Sequence, residues 1–117
     1  MDIKKFFIGF GLFILLHILV WWSANTQFIK EAWRDKALIL AIILAIPISV
    51  LGFYGTRYTY DALNQSVWAS RFVAFGSSYL IFPVLTWWVL KESMFTPKTM
   101  MCIFLSFMII AIQIFWK

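Results

Sequence analysis

The sequence contains very few of the side chains that enzymes commonly use for chemistry. Its 117 residues include one cysteine, one histidine and five acidic residues. The lone cysteine, Cys102, excludes an intramolecular disulfide, and a single histidine, His17, provides no spaced set of metal ligands. There is also no glycine-rich phosphate loop and no nucleophile beside a convincing base. We therefore expect no catalytic residue, no metal and no cofactor, and we predict that the protein is not an enzyme.

Charged residues are also scarce, and long stretches contain none. The composition is 63% hydrophobic and 13% charged, with a mean hydropathy of +0.88, whereas average soluble domains are roughly half apolar and a quarter charged. Four uncharged runs approach or exceed the ~18 residues that indicate a membrane-spanning helix. They cover residues 6–29, 37–56, 72–90 and 99–116. Strands of a membrane barrel would be about half as long and would alternate in polarity.

These runs predict an all-α fold, an integral membrane bundle of four transmembrane helices. The predicted helices cover approximately residues 5–29, 37–56, 67–90 and 97–116. Thr96 is suited to cap the last helix, with Pro97 at its first position, where a missing N–H costs nothing. Since almost every residue lies in a helix or a short connection, we predict a single domain over residues 1–117. It should be a multi-pass integral membrane protein in contact with the lipid bilayer.

The net charge of +5 does not indicate nucleic-acid binding. The ten Lys and Arg residues are spread over loops and helix ends and form no stripe, so we expect them to contact lipid headgroups instead. Four helices place both termini on one side of the membrane. That side carries five basic residues when Arg71 is included, and the other side also carries five. The positive-inside bias that fixes orientation is therefore nearly absent.

The first helix has a polar face within the membrane. His17 lies at the middle of the first apolar run, and Trp21 and Asn25 follow at i+4 and i+8, on the same side of a helix. Polar groups at this depth are costly and often functional, so one interpretation is a site lining the interior of the bundle. The alternative is a neutral histidine that is hydrogen-bonded to a neighbouring helix.

The second half of the chain carries a recognisable order of residues. Trp68, Pro83, the pair Thr86-Trp87 and Glu92 are followed by a final apolar helix. Over residues 54–113 this order resembles the last two helices of small multidrug resistance transporters and of half-repeats in the drug/metabolite transporter superfamily. The resemblance implies a transporter of an unidentified small molecule in the bacterial inner membrane. It also implies a homodimer, antiparallel in the dual-topology members, with Trp87 near the substrate cavity and Glu92 in a structural position.

The sequence departs from this family in the first helix. Small multidrug resistance transporters keep a glutamate in the middle of that helix, whereas this chain has no acidic residue there and places His17 at a comparable depth. A histidine offers no fixed negative charge, so proton-coupled export of cationic drugs does not transfer to this chain. The basic residues Arg57 and Arg71 either extend to lipid headgroups or flank an entrance for an anionic or zwitterionic ligand, with Glu92 as an ion-pair partner.

The predicted substrate site combines the two halves of the chain. It consists of His17, Trp21 and Asn25 of the first helix, facing Thr86 and Trp87 of the third. The function predicted from it is that of a small transporter. The alternative is a non-transporting membrane subunit that assembles with a larger complex, through the small residues spaced four apart on the second helix. These small residues are Ala37, Ala41, Ala45 and Ser49.

Overall fold

The computed structural model describes residues 1–116, which form four long α-helices. They are α1 (Ile3–Asn25), α2 (Ala37–Ala62), α3 (Val67–Leu90) and α4 (Pro97–Phe115). Two single-turn 3-10 helices, Thr26–Phe28 and Glu31–Trp33, connect α1 to α2. Each α-helix is long and apolar enough to cross a membrane. The predicted all-α bundle of four membrane-spanning helices is therefore confirmed.

Three of the helices begin at a side chain that caps the first turn. The carboxylate of Asp2 accepts a hydrogen bond from the Lys5 backbone N–H at 3.2 Å. Ser66 caps α3 in the same way, accepting from the Ala69 N–H at 3.0 Å. Thr96 caps α4, directly before Pro97, as the sequence predicts. These oxygens satisfy backbone donors that have no partner inside the helix.

The end of α2 lies further along the chain than the sequence predicts. The uncharged run predicts an end at residue 56, directly before Arg57, yet the helix continues to Ala62. The reason is tertiary packing. Gly55 is buried against the ring of Phe13, and Thr59 is fully buried. Contact with α1 thus maintains the helix through a segment that looks flexible in isolation.

The end of α1 is earlier than predicted, at Asn25 rather than near residue 29. Polar side chains in this segment bond back to carbonyl groups of the preceding turn. Asn25 donates to the Trp21 carbonyl, and the Thr26 hydroxyl donates to the Trp22 carbonyl. Such bonds compete with the regular α-helical pattern, and the chain continues as a 3-10 turn.

A tight turn joins α2 to α3. Asn64 and Gln65 both adopt the left-handed conformation, with φ of 57° and 58°. The Leu63 N–H donates to the Thr59 carbonyl and the Gln65 N–H to the Tyr60 carbonyl, each at 2.9 Å. The last carbonyls of α2 are thereby satisfied before α3 begins.

Helix α1 packs against α2 and α3, whereas α4 packs chiefly against α3. Glycines lie at tight contacts between the helices, as is common where helices associate in lipid. A Cβ atom built on Gly9 would lie 2.7 Å from Cγ2 of Thr59, and one on Gly76 would lie 2.7 Å from Cγ1 of Ile110. The apolar core lies at the end of the bundle that holds the α2–α3 turn. It contains Phe6, Phe13, Ala62, Leu63, Ala69 and Val73.

Candidate functional site

The only histidine, His17 on α1, is hydrogen-bonded to the backbone of α3. Nε2 of His17 lies 2.8 Å from the Ala74 carbonyl oxygen and 3.1 Å from Oγ of Ser77. Since a carbonyl oxygen can only accept, Nε2 carries a proton and donates it. The Ser77 hydroxyl donates to the same carbonyl at 2.8 Å. In the neutral ring, Nδ1 is then the atom that can accept a hydrogen bond from a ligand.

About one turn further along α1, a buried indole makes a second polar contact with α3. Nε1–H of Trp21 donates to Oγ1 of Thr86 at 3.0 Å. Trp21 is only 1% exposed and Thr86 only 8%. This bond satisfies both polar groups away from water, which favours its formation in the bundle interior. It also holds α1 and α3 in contact at the position of Trp21.

The structure therefore brings three of the five predicted substrate-site residues to the α1–α3 interface. These are His17, Trp21 and Thr86. Asn25 is buried on the same helix, but its amide donates to the Trp21 carbonyl at 3.0 Å and so stabilises the end of α1.

Trp87 lies elsewhere. It follows Thr86 by one position, which places it about 100° further around the helix. Its ring is 45% exposed and packs edge-to-face against Phe95, with the ring centroids 5.3 Å apart. The fifth predicted residue thus contacts the α3–α4 connection.

A further polar contact, between α2 and α3, is missing from the sequence prediction. The hydroxyl oxygens of Thr59 and Ser70 lie 2.6 Å apart, and both residues are almost completely buried. Thr59 also donates to the Gly55 carbonyl at 2.8 Å. Ser70 belongs to a run of small residues on α3 that is visible in the sequence. Thr59 was not recognisable, because it follows the predicted end of α2.

Between these polar contacts lies a cavity of about 170 Å³, bounded by α1, α2 and α3. An apolar cavity of about 150 Å³ can hold a benzene molecule, so this space accommodates a small molecule of a few heavy atoms. Its lining combines apolar and small residues with the imidazole of His17 and the guanidinium of Arg71. The lining residues are Phe13, Leu16, His17, Gly52, Thr56, Arg71, Ala74 and Phe75.

The two arginines predicted to flank an entrance have different positions. Arg71 lines the cavity, and its guanidinium carbon lies 4.2 Å from the centroid of the Phe75 ring. Arg57 instead stacks on Phe53 and Tyr54, at 4.7 Å and 5.3 Å from the ring centroids. Only Arg71 is therefore placed to contact a molecule in the cavity.

Glu92 does not pair with Arg71. Arg71 lies in the second turn of α3, whereas Glu92 follows the end of that helix. At 1.5 Å per residue the two are separated by roughly 30 Å. An ion pair between them within one chain, which was one of the alternatives, is excluded because α3 is one continuous helix. Glu92 is exposed and lines a second cleft, between α3 and α4.

Within residues 1–116, no group of three or more His, Cys, Asp or Glu side chains is placed to hold a metal ion. In comparisons with known proteins, no protein-family model, no curated protein and no solved structure matches the chain. The functional proposal therefore rests on the geometry of the bundle.

Proposed function

We propose that this membrane protein is a small transporter of the drug/metabolite transporter kind, which moves a small anionic or zwitterionic molecule past Arg71 and His17. The observation that carries the proposal is the cavity between α1, α2 and α3, which both side chains line. An ionisable group within a membrane-spanning helix is costly, and such groups commonly mark substrate or ion pathways. Catalysis is no part of this proposal.

The cavity favours a negatively charged group on the substrate. The Arg71 guanidinium can donate two parallel hydrogen bonds to a carboxylate or phosphate, and Nδ1 of His17 can accept one from a hydroxyl or ammonium group. Among the residues that the structure describes, those lining the cavity include no carboxylate that would attract a cation. The volume of about 170 Å³ holds a group of a few heavy atoms, such as a carboxylate and its neighbouring carbons.

The proposal includes a homodimer, in which a second copy completes the path for the substrate. Within one chain, the buried hydrogen bond between Trp21 and Thr86 joins α1 and α3 about one turn beyond His17. In the most apolar stretch of α2 only 6% of the residues are buried, and in that of α4 only 11%. Both helices therefore have apolar surface that a second copy of the chain can cover. The balanced basic charge at the two ends of the bundle is compatible with an antiparallel pair.

Transport can be tested by uptake of radiolabelled compounds into proteoliposomes. We expect uptake of lactate, glycine, phosphate or chloride, and we expect the Arg71→Gln variant to lose it. Arg57→Gln is the matched control, since it removes an arginine that stacks outside the cavity. Correctly folded protein that takes up none of these compounds would contradict the proposal. Equal losses in both variants would also contradict the role of Arg71.

The second candidate function is that of a non-transporting subunit of a larger membrane complex. It is favoured by the small-residue surface of α2, where Ala45 and Ser49 are exposed and open to another helix. An Ala45→Leu variant would then lose a co-purifying partner while keeping its own fold. Transport by the purified protein alone would exclude this function as the sole role.

A further inference from the structure

Helices α3 and α4 are close at one level and apart at another. At Gly76, an added Cβ would lie 2.7 Å from Ile110 and 3.2 Å from the Ser106 carbonyl oxygen, so the two helices are in tight contact there. Towards the connection between them they enclose a cleft of about 300 Å³. Pro83 lies in α3 beside this cleft.

The interior of the cleft differs from its mouth. Side chains from the facing surfaces of the two helices, among them Phe82 and Ile103, make the interior largely apolar. The mouth carries one acidic and one basic residue, Glu92 and Lys98, both of them exposed. Since α3 ends at Leu90 and α4 begins at Pro97, these charges lie where a membrane-spanning helix meets the lipid headgroups.

The helix ends reinforce the separation of charge at the mouth. Glu92 follows the C-terminus of α3, where the helix dipole is negative, and Lys98 lies in the first turn of α4, where it is positive. One half of the mouth therefore attracts a cation and the other an anion. Lys91, which ends α3 in the left-handed conformation, is not part of the cleft lining.

We propose that this cleft binds one zwitterionic phospholipid of the phosphatidylethanolamine type, taken from the surrounding bilayer. Its ammonium group pairs with Glu92, its phosphate pairs with Lys98, and part of one acyl chain lies between Phe82 and Ile103. A free anion would pair only with Lys98, and a free cation only with Glu92. A purely apolar molecule would pair with neither residue. A volume of about 300 Å³ is at the lower end for ligand pockets, so most of the lipid remains in the bilayer.

The bound lipid would have a structural effect that is independent of transport. Helix α4 packs chiefly against α3, and the cleft leaves space between the two helices near their connection. An acyl chain in that space restores apolar contacts for both helices, which stabilises them in proportion to the area covered. We therefore expect added phosphatidylethanolamine to raise the melting temperature of the detergent-solubilised protein more than phosphatidylglycerol does.

Native mass spectrometry of the purified protein with each lipid tests the charge pairing. Wild-type protein should retain one phosphatidylethanolamine per chain in preference to phosphatidylglycerol, whose headgroup lacks the ammonium. Glu92→Gln should reduce retention of phosphatidylethanolamine by roughly two- to fivefold, the range that one exposed charge pair supports, without reducing that of phosphatidylglycerol. Lys98→Gln should reduce both. Glu31→Gln is the matched control, since Glu31 lies exposed in the α1–α2 connection on the same side of the membrane.

The sole cysteine provides a second measurement that needs no substitution. Cys102 is exposed and lines the cleft, so a bound acyl chain should slow its modification by N-ethylmaleimide in detergent. We expect protection that rises with added phosphatidylethanolamine and weakens in Glu92→Gln. The proposal is overturned if the two lipids are retained equally, or if Glu31→Gln and Glu92→Gln have the same effect. Protection of Cys102 that follows protein concentration rather than lipid would assign the cleft to a second copy of the chain instead.

Discussion

The tight contact between α1 and α2 at Gly9 predicts different effects for two alanine substitutions on α1, Gly9→Ala and Gly11→Ala. A Cβ on Gly9 would lie 2.7 Å from Cγ2 of Thr59 and 2.9 Å from its backbone nitrogen. Thr59 cannot move aside readily, because it is fully buried and bonded to Gly55 and Ser70. Relief of the clash therefore requires α2 to shift. A Cβ on Gly11, by contrast, meets no atom within 4 Å.

The expected magnitudes follow from these distances. Overpacking a tight contact costs typically about 1–3 kcal/mol, and this cost applies to Gly9→Ala. Replacing glycine by alanine inside a helix also stabilises that helix by up to ~1 kcal/mol. Since both sites lie inside α1, this gain is shared and cancels when the two variants are compared. Gly9→Ala should therefore be less stable than Gly11→Ala by about 1–3 kcal/mol.

The free energy of unfolding can be measured by titrating dodecyl sulfate into mixed micelles while following tryptophan fluorescence and far-ultraviolet circular dichroism. Gly11→Ala should unfold at the same detergent fraction as wild-type protein or at a slightly higher one, and Gly9→Ala should unfold at a lower fraction than Gly11→Ala. If the two variants differ by less than about 0.5 kcal/mol, which is the scatter typical of unrelated surface substitutions, the tight α1–α2 contact at Gly9 is refuted.

Two further predictions concern the polar contacts between α1 and α3. A double-mutant cycle with Trp21→Phe and Thr86→Val should give a coupling free energy of roughly 0.6–1.7 kcal/mol, the range found for hydrogen bonds between membrane helices; additive effects would mean that the bond contributes nothing. His17→Gln keeps an N–H donor for the Ala74 carbonyl but cannot change its charge. We therefore expect it to fold normally, and we expect the flux to depend on pH in wild-type protein but not in His17→Gln; an unchanged pH profile would show that His17 has no part in transport.

The number of helices and most of their starts could be predicted because they depend on local sequence. Long uncharged runs are sufficient to specify membrane helices, and Thr96 with Pro97 specifies a helix start within two positions. The end of α2 could not be predicted, because its last turns are held by the burial of Thr59 and Gly55 against neighbouring helices. Local propensity gives way to tertiary packing at this point.

Part of the candidate site was also predictable. The spacing of His17 and Trp21 places both on one face of α1, and their cost in lipid predicts that this face turns inward. Which residue of α3 they meet was harder to predict, since α3 is apolar around most of its circumference and has no polar face that distinguishes Thr86 from Trp87. The cavity itself depends on how three helices pack together, and a one-dimensional pattern does not encode that volume.

The polar contacts of α3 also imply an order of membrane assembly. The pair Thr59 and Ser70 is separated by only 11 positions, so the α2–α3 hairpin can satisfy these hydroxyl groups as soon as its two helices enter the bilayer together. The contacts of α3 with His17 and Trp21 join residues 57 to 65 positions apart. They form only when α1 meets the completed hairpin. Insertion thus delivers a hairpin in which the Ala74 carbonyl and the Thr86 hydroxyl still lack His17 and Trp21, and these two groups mark the side on which α1 docks.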